Sequence, residues 1–305
     1  MTYKWRATFG FDYPLLDQPI SIGDIRIYPA PPELDLEPHA IHYYEFETSG
    51  VNRDSQEEVR KKYLFRLEKL AELSVLVPYY TEVAFHSIVL IDSGDKEGFP
   101  PSGINVTFDG KPYNPPGQSP KKFREQLTQA AQSFVEIQTL KDEIQEPISR
   151  ALRWMYRGND YRLSPDDQLI YRWIAFNSLY SLFNTLESQD RGERSSVRAL
   201  ENHFRSSVGP IERGAQQLAA GGLKLDRGKD LDVSDDLQQS IANRDDRITQ
   251  LSLECVYAAR CSLFHGAERP VLHVPNSILS VSAAYLDLYL KSVIPAFVLY
   301  CKQYS

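Results

Sequence analysis

The feature that most constrains the fold of this chain is a helix with a well-marked start and apolar residues on nearly every side. Ser164 stands at an N-cap position, Pro165 follows at the first helical position, and Asp166 and Asp167 lie where carboxylates favour the positive end of the helix dipole. The segment that follows, QLIYRWIAFNSLYSLFNTL, is apolar around most of its circumference. Since such a helix needs neighbours on all sides, we expect it at the centre of a helical bundle.

Helical spacing dominates the whole of residues 121–305. One predicted helix runs from Lys121 to Pro147. If it continues into residues 148–158, we expect a kink at Pro147. Shorter helices are expected near 197–204 and 211–220, one is capped by Ser234, and a long helix runs from about Arg244 to His265. Residues 188–233 also carry charged and Gly-rich stretches, which are either a loop near a substrate or an insertion without function. We therefore predict an all-helical domain over 121–305.

Residues 1–120 give a different pattern. Short, β-branched or aromatic segments alternate with Gly and Pro over 4–11, 20–29, 41–50 and 82–92, which is typical of strands. Between them, Ser55 and Glu58 have the spacing of a capping box, and helical spacing of apolar residues follows to about Val77. The sequence predicts a mixed α+β domain over 1–120, followed by the helical domain; the role of this first domain is not indicated by any motif.

Charge limits the kind of partner. The chain has 305 residues with a formal net charge of −7, which argues against a protein that coats nucleic acid nonspecifically, because such proteins replace counterions with Lys and Arg. A local basic cleft remains compatible with this composition.

The three cysteines indicate a compartment. Cys255, Cys261 and Cys301 have no paired spacing, and an odd number leaves a free thiol under oxidising conditions, so we expect a cytoplasmic protein. The N-terminus has no basic segment followed by an apolar run, and the apolar stretches are about half of the roughly 20 residues that span a bilayer. We expect no signal peptide and no membrane partner.

An arginine and a histidine stand at the end of the last but one predicted helix. Arg260 and His265 are separated by four residues, and Gly266 follows where the helix should stop. On a regular helix their side chains diverge by about 140°, so one helix alone would not bring them together. Their geometry improves if the helix unwinds at His265, or if two such helix ends face each other across a two-fold axis and pool their arginines and histidines.

The segment Arg260-Cys-Ser-Leu-Phe-His265-Gly266 resembles the signature of the HEPN superfamily: an arginine, four intervening residues and a histidine at the end of a long helix. The preceding apolar, tyrosine-containing segment and the helix IYRWIAFNSLYSLF are similar to the surroundings of that signature. A mixed N-terminal domain before a C-terminal HEPN domain most resembles the ApeA-like branch. The resemblance covers roughly residues 145–305.

The resemblance implies an all-helical domain that dimerises and cleaves RNA without a metal or other cofactor. His265 would transfer a proton while the 2′-hydroxyl attacks the adjacent phosphorus, leaving a 2′,3′-cyclic phosphate, and Arg260 would hold the phosphate. Histidine and arginine suit these roles chemically. The family also implies a role in prokaryotic defence or a toxin-like response, with RNA, a second copy of the chain and a protein partner or antitoxin as its partners.

Two positions depart from the family pattern. Cys261 follows the arginine where a polar residue is common, and Asn177 stands in the central helix where a glutamate is frequent. We take both as supporting residues of the site. Their identities leave open a second interpretation, a catalytically inactive HEPN module that binds RNA or a protein partner.

Two simpler interpretations of the helix end are also open. Cations near a helix C-terminus are favoured by the dipole in any protein, so Arg260 and His265 also fit an ordinary helix end. Cys261 and His265 have the i, i+4 spacing of two zinc ligands on one helix face. Because no second pair with suitable spacing lies nearby, we predict no metal site.

Overall fold

The computed structural model describes the chain in segments: residues 2–11, 18–22, 25–29, 40–49, 69, 72–73, 75–77, 83–92, 104–105, 119–160, 162–226, 230–265 and 274–305. The chain divides into two compact units, Met1–Glu136 and Ile137–Ser305. The sequence predicts the domain boundary at residue 120, which is the first residue of a helix in the structure.

The first unit contains an antiparallel sheet. Its strands are β1 (Thr2–Phe11), β2 (Ile20–Ile22), β3 (Ile25–Pro29), β4 (Ala40–Ser49), β5 (Val83–Asp92) and β6 (Ile104–Asn105). Their order in the sheet is β2-β3-β4-β1-β5-β6, so β1 pairs with β4 on one side and with β5 on the other. In β2, buried Ile20 and Ile22 flank exposed Ser21, the period-two burial that a sheet with one covered face imposes.

The four predicted strand segments lie in strands of this sheet, and the segment 20–29 forms two strands, β2 and β3. The helix predicted from Ser55 lies largely outside the described residues; of it, residues 69, 72 and 73 are helical. The first unit also includes most of α1 (Pro120–Gln138).

Within its described residues, the second unit is helical apart from one short ribbon. Its elements are α2 (Asp142–Gly158), α3 (Pro165–Leu186), α4 (Glu193–Val208), α5 (Ala215–Ala219), β7 (Lys224–Asp226), β8 (Asp230–Asp232), α6 (Val233–Asn243), α7 (Ile248–His265), α8 (Asn276–Cys301) and a 3-10 turn (Lys302–Tyr304). The antiparallel pair β7 and β8 corrects the prediction of an entirely helical domain.

The start of α3 is confirmed as predicted. Ser164 has extended backbone angles, its side chain accepts a hydrogen bond from the backbone N–H of Asp167, and Pro165 is the first helical residue. Along α3 the buried apolar side chains cover about half of the helix circumference: Leu169, Trp173, Ala175, Phe176, Leu179, Tyr180, Leu182 and Phe183. The rings of Phe176 and Tyr289 of α8 meet edge to face, with centroids 5.5 Å apart. The bundle core therefore forms around α3 and α8.

Two predicted helix boundaries are wrong. The break between α1 and α2 comes at residues 139–141, and Pro147 lies inside α2. Asp232, and not Ser234, is the N-cap of α6, since its side chain accepts the hydrogen bond from the Asp235 N–H. Ser234 is buried instead, where it accepts from the N–H of Leu223 and donates to the carbonyl of Leu218.

The last helix, α8 with the 3-10 turn that follows it, is long and apolar. Among the described residues, Asn276–Tyr304 has the length and apolar composition that crossing a bilayer requires. Of its most apolar window, 56% is buried within the protein. Tyr285, Tyr289 and Phe297 of this helix are almost fully buried. A mostly buried core helix of a bundle meets the same length and composition criteria, so this one helix is weak evidence for a membrane.

Candidate functional site

Arg260 contacts the beginning of α4. It lies near the C-terminal end of α7, and its Nη1 atom is 3.2 Å from Oε2 of Glu193, the first residue of α4. The guanidinium also lies over the indole ring of Trp173, 5.7 Å from the ring centroid. A carboxylate and an aromatic face thus hold this cation between α3, α4 and α7, the two kinds of group that fix a guanidinium most specifically.

Glu193 accepts hydrogen bonds at both of its oxygens. Trp173 Nε1 and the Tyr180 hydroxyl each donate to Oε1 at 3.0 Å, while Arg260 donates to Oε2. Burial, followed by the negative charge of Glu193, raises the pKa of Tyr180 far above its usual value. The phenol therefore remains protonated and keeps its donor role. This arrangement fixes the carboxylate and, through it, the direction of Arg260.

Arg260 retains access to solvent. Its side chain is 21% exposed and that of Glu193 is 27% exposed. A guanidinium has five N–H donors in a planar fork, so one held by a carboxylate can still donate to a second anion. An exclusively structural arginine could be covered completely by apolar neighbours. Arg260 is not covered in this way.

His265 is the last residue of α7. Because the helix is continuous from Arg260 to His265, the two Cα–Cβ directions differ by about 140° and their positions along the axis by about 7.5 Å. The side chain of His265 and the predicted stop at Gly266 lie outside what the structure describes. Within one chain, the described backbone does not provide the unwinding that would turn the histidine towards the arginine.

Cys261 is half-buried and next to Arg260 on α7. Burial, together with interaction with the Cys261 thiol, raises the pKa of Tyr257 to about 12. The ring of Tyr257 lies 5.7 Å from that of Trp173. Cys261 therefore borders the aromatic surroundings of Arg260, while Cys255 and Cys301 are buried and their pKa values are raised by burial to about 12.

Asn177 has a different environment. It is exposed on α3, and its Oδ1 accepts a hydrogen bond from Ser181 Oγ at 2.9 Å along the same helix. The carboxylate that does contact Arg260 belongs to Glu193, which sequence reasoning missed. Glu193 and Arg260 are 67 positions apart in the sequence, and no local sequence pattern indicates such a contact.

A second group of ion pairs joins α4 to α7, between one and two turns of α7 before Arg260. Glu254 of α7 is only 4% exposed, and it accepts hydrogen bonds from Arg194 and from Arg198, whose Nε lies 2.6 Å from Oε1. Burial raises the pKa of Glu254, but the hydrogen bonds from Arg198 and Arg194 outweigh this effect, so that its pKa is lowered overall. This carboxylate stays ionised between two guanidiniums.

Within the described residues, no group of three or more His, Cys, Asp or Glu side chains is arranged to hold a metal ion. The zinc pair considered from the sequence includes His265, whose side chain is not described. Comparisons of the chain with protein-family models, curated proteins and solved structures find no match. The groups present therefore define the site as a guanidinium fixed by a carboxylate and an indole, about 1.4 turns before the helix ends at a histidine.

Proposed function

We propose that this protein is a metal-independent endoribonuclease of the HEPN type that acts as a dimer. The observation that supports this most is the position of Arg260. Its guanidinium is fixed by Glu193 and Trp173, is partly exposed, and lies on the helix that ends at His265. A permanent forked donor for phosphate and a side chain that titrates near neutral pH are the two groups that RNA transesterification requires.

In this mechanism, His265 accepts the proton of the ribose 2′-hydroxyl as its oxygen forms a bond to the adjacent phosphorus. The bond from phosphorus to the 5′-oxygen then breaks, and the leaving oxygen takes a proton. The products are a 2′,3′-cyclic phosphate and a free 5′-hydroxyl. Arg260 stabilises the negative charge that develops on the phosphoryl oxygens, where a preformed donor contributes most.

The dimer follows from helix geometry. Since Arg260 and His265 diverge by about 140° on one helix, the same phosphate is reached more easily by the arginine of one chain and the histidine of another. A two-fold axis near the end of α7 would create two equivalent composite sites. We place the dimer contact on the helical unit, and we propose that the protein works in the cytoplasm, in defence or a toxin-like response.

The direct test uses the full-length chain and a labelled single-stranded RNA in the presence of EDTA. We expect the wild-type chain to cleave and His265→Ala to lose cleavage, with unchanged circular dichroism and unchanged mass by light scattering. Arg260→Ala should also lose cleavage, whereas Arg153→Ala, which removes another partly exposed, ion-paired arginine, should keep it. Equal cleavage by the wild type and His265→Ala would contradict the proposal.

The second candidate is an inactive HEPN module that binds RNA or a protein partner. The ion pair between Glu193 and Arg260 favours it, because the carboxylate offsets the charge that a phosphate would meet. Cys261 favours it as well, since a thiol is a poor hydrogen-bond partner. In that case, the wild-type chain shows no cleavage with any RNA, while RNA binding or partner binding still depends on Arg260.

A further inference from the structure

The contacts between α4 and α7 involve three arginines at successive levels along the two helices. Arg260 pairs with Glu193 at the start of α4, and Glu254, six residues earlier on α7, pairs with Arg194 and Arg198. The two helices therefore run side by side in opposite directions over this stretch. We call Arg194, Arg198 and Arg260 the arginine row.

One carboxylate of the row, Glu254, lies deeper in the protein than the cation of Arg198, whereas Glu193 and Arg260 are similarly exposed. Glu254 is 4% exposed, whereas the side chain of Arg198 is 43% exposed. Arg194 and Arg198 share one carboxylate, Glu254, so this group of three side chains carries one positive charge in excess, and its most exposed member is the cation of Arg198. Such an arrangement creates a local positive field on a chain whose overall charge is −7.

Arg198 is oriented as a donor for an external anion. Its Nε donates to Glu254 at 2.6 Å, and among the described residues its terminal nitrogens have no hydrogen-bond partner. The buried carboxylate thus fixes one edge of the guanidinium and turns the other edge outward. Arg194, which is only 12% exposed, also pairs with Glu254 and helps to fix the position of that carboxylate.

The row has a defined end. Further along α4, Arg205 is paired with Glu201 and lies 3.6 Å from Asp246, whose side chain is 78% exposed. The acidic groups there cancel the positive field. Among the described residues of α4 and α7, the excess charge therefore lies between the levels of Arg198 and Arg260, which the rise of α4 from Glu193 to Arg198 puts about 7.5 Å apart.

We infer that the arginine row binds the backbone of single-stranded RNA and leads it to Arg260, with Arg198 contacting a phosphate next to the one that is cleaved. This inference rests on the proposed function and names a substrate-binding residue outside the proposed catalytic pair. Single-stranded RNA fits because a line of forked donors follows consecutive phosphates, and because the line ends at the arginine proposed to hold the reacting phosphate.

The test measures RNA binding in a chain that cannot cleave. A short fluorescein-labelled single-stranded RNA is titrated with full-length His265→Ala protein, and with the same protein carrying Arg198→Gln, over a series of salt concentrations. We expect Arg198→Gln to raise Kd by about three- to tenfold at low salt, and to reduce the slope of log K against log salt by about 0.7, the loss of one contact to a single strand.

Arg153→Gln is the matched control. Arg153 is 39% exposed, close to the 43% of Arg198, and it pairs with a carboxylate of its own helix, Glu146. It should leave both Kd and the salt slope unchanged. Because Arg194 still pairs with Glu254 after Arg198→Gln, we expect the variant to fold; if it does not, Arg198→Lys should retain the salt slope while weakening binding, since it keeps the charge and loses the fork.

Equal effects of Arg198→Gln and Arg153→Gln would overturn the inference. Equally strong competition by polyglutamate would also overturn it, because it would assign the row to an acidic protein partner. The outcome is separate from that of the nuclease proposal. Binding that depends on Arg198 without any cleavage by the wild type would support the row and reject the nuclease, while cleavage without dependence on Arg198 would do the opposite.

Discussion

The guanidinium of Arg260 and the carboxylate of Glu193 are joined by a contact of 3.2 Å that connects the end of α7 to the beginning of α4. Glu193 is held in turn by Trp173 and Tyr180 of α3. One carboxylate thus links three helices of the bundle and determines where Arg260 points. The proposed nuclease function depends on this orientation of Arg260.

Glu193→Gln should therefore affect both stability and activity. It replaces a carboxylate that accepts charge-assisted hydrogen bonds, so we expect a loss of about 1–3 kcal/mol in the free energy of unfolding. Because Arg260 is no longer held in one direction, we expect RNA cleavage to fall by about 10- to 100-fold. Denaturant unfolding and single-turnover cleavage measure the two effects.

Tyr180→Phe is the matched control for Glu193→Gln. It removes one donor to Glu193 Oε1 and leaves the contact of Oε2 with Arg260 intact. It should cost about 1 kcal/mol of stability while cleavage stays close to that of the wild type. Faster cleavage by Glu193→Gln would show that the carboxylate blocks the arginine, which is the opposite of the role assigned to it.

The buried Glu254 should make the helical unit sensitive to acid. Its pKa is lowered in the folded protein, from an ordinary value of 4.5. A carboxyl with a lowered folded pKa contributes its full stability above the unfolded pKa and loses it as the pH falls through the folded pKa. We expect the free energy of unfolding to decrease as the pH drops below about 4.5.

Glu254→Gln identifies this contribution. The substitution leaves Arg194 largely buried without its anion, so we expect it to cost about 3 kcal/mol at neutral pH. The difference between wild type and variant should shrink as the pH falls, since the wild-type carboxyl then becomes neutral as well. A difference that stays constant down to the acid transition would be evidence against the assigned ion pairs.

Two tyrosines of α8 should respond in opposite directions to the same change. Tyr289 is 1% exposed and, among the described residues, its hydroxyl has no hydrogen-bond partner. Tyr289→Phe removes an unsatisfied buried group, and we expect it to stabilise the protein by about 1 kcal/mol. Tyr285 is equally buried but donates to the carbonyl of Ile211 at 3.1 Å. Tyr285→Phe should destabilise by about 1 kcal/mol. Parallel thermal unfolding of both variants checks the contrast.

Local chemistry in the sequence explains which parts of the fold could be predicted. The start of α3 depends on the four adjacent residues Ser164 to Asp167, so its signal is contained in a short stretch of sequence. The cap of α6 was misassigned because Asp232 and Ser234 are both good N-cap residues, and the buried hydrogen bonds of Ser234 with Leu218 and Leu223 decide between them. Those bonds depend on tertiary packing.

The candidate site was predictable only in part for the same reason. Arg260 and His265 form a pattern within one helix, which can be read locally. The contact of Arg260 with Glu193 and the shared pairing of Glu254 with Arg194 and Arg198 join segments far apart in sequence, and only the packing of α4 against α7 reveals them.

The most direct test of the central claim mixes two inactive variants. If one site takes Arg260 from one chain and His265 from the other, a heterodimer of Arg260→Ala and His265→Ala chains contains one complete site and one empty site. After co-refolding at equal amounts, we expect about a quarter of wild-type cleavage, since half of the dimers are mixed and each has one of two sites. No recovery in a confirmed heterodimer, with an active wild type measured alongside, would contradict the shared site.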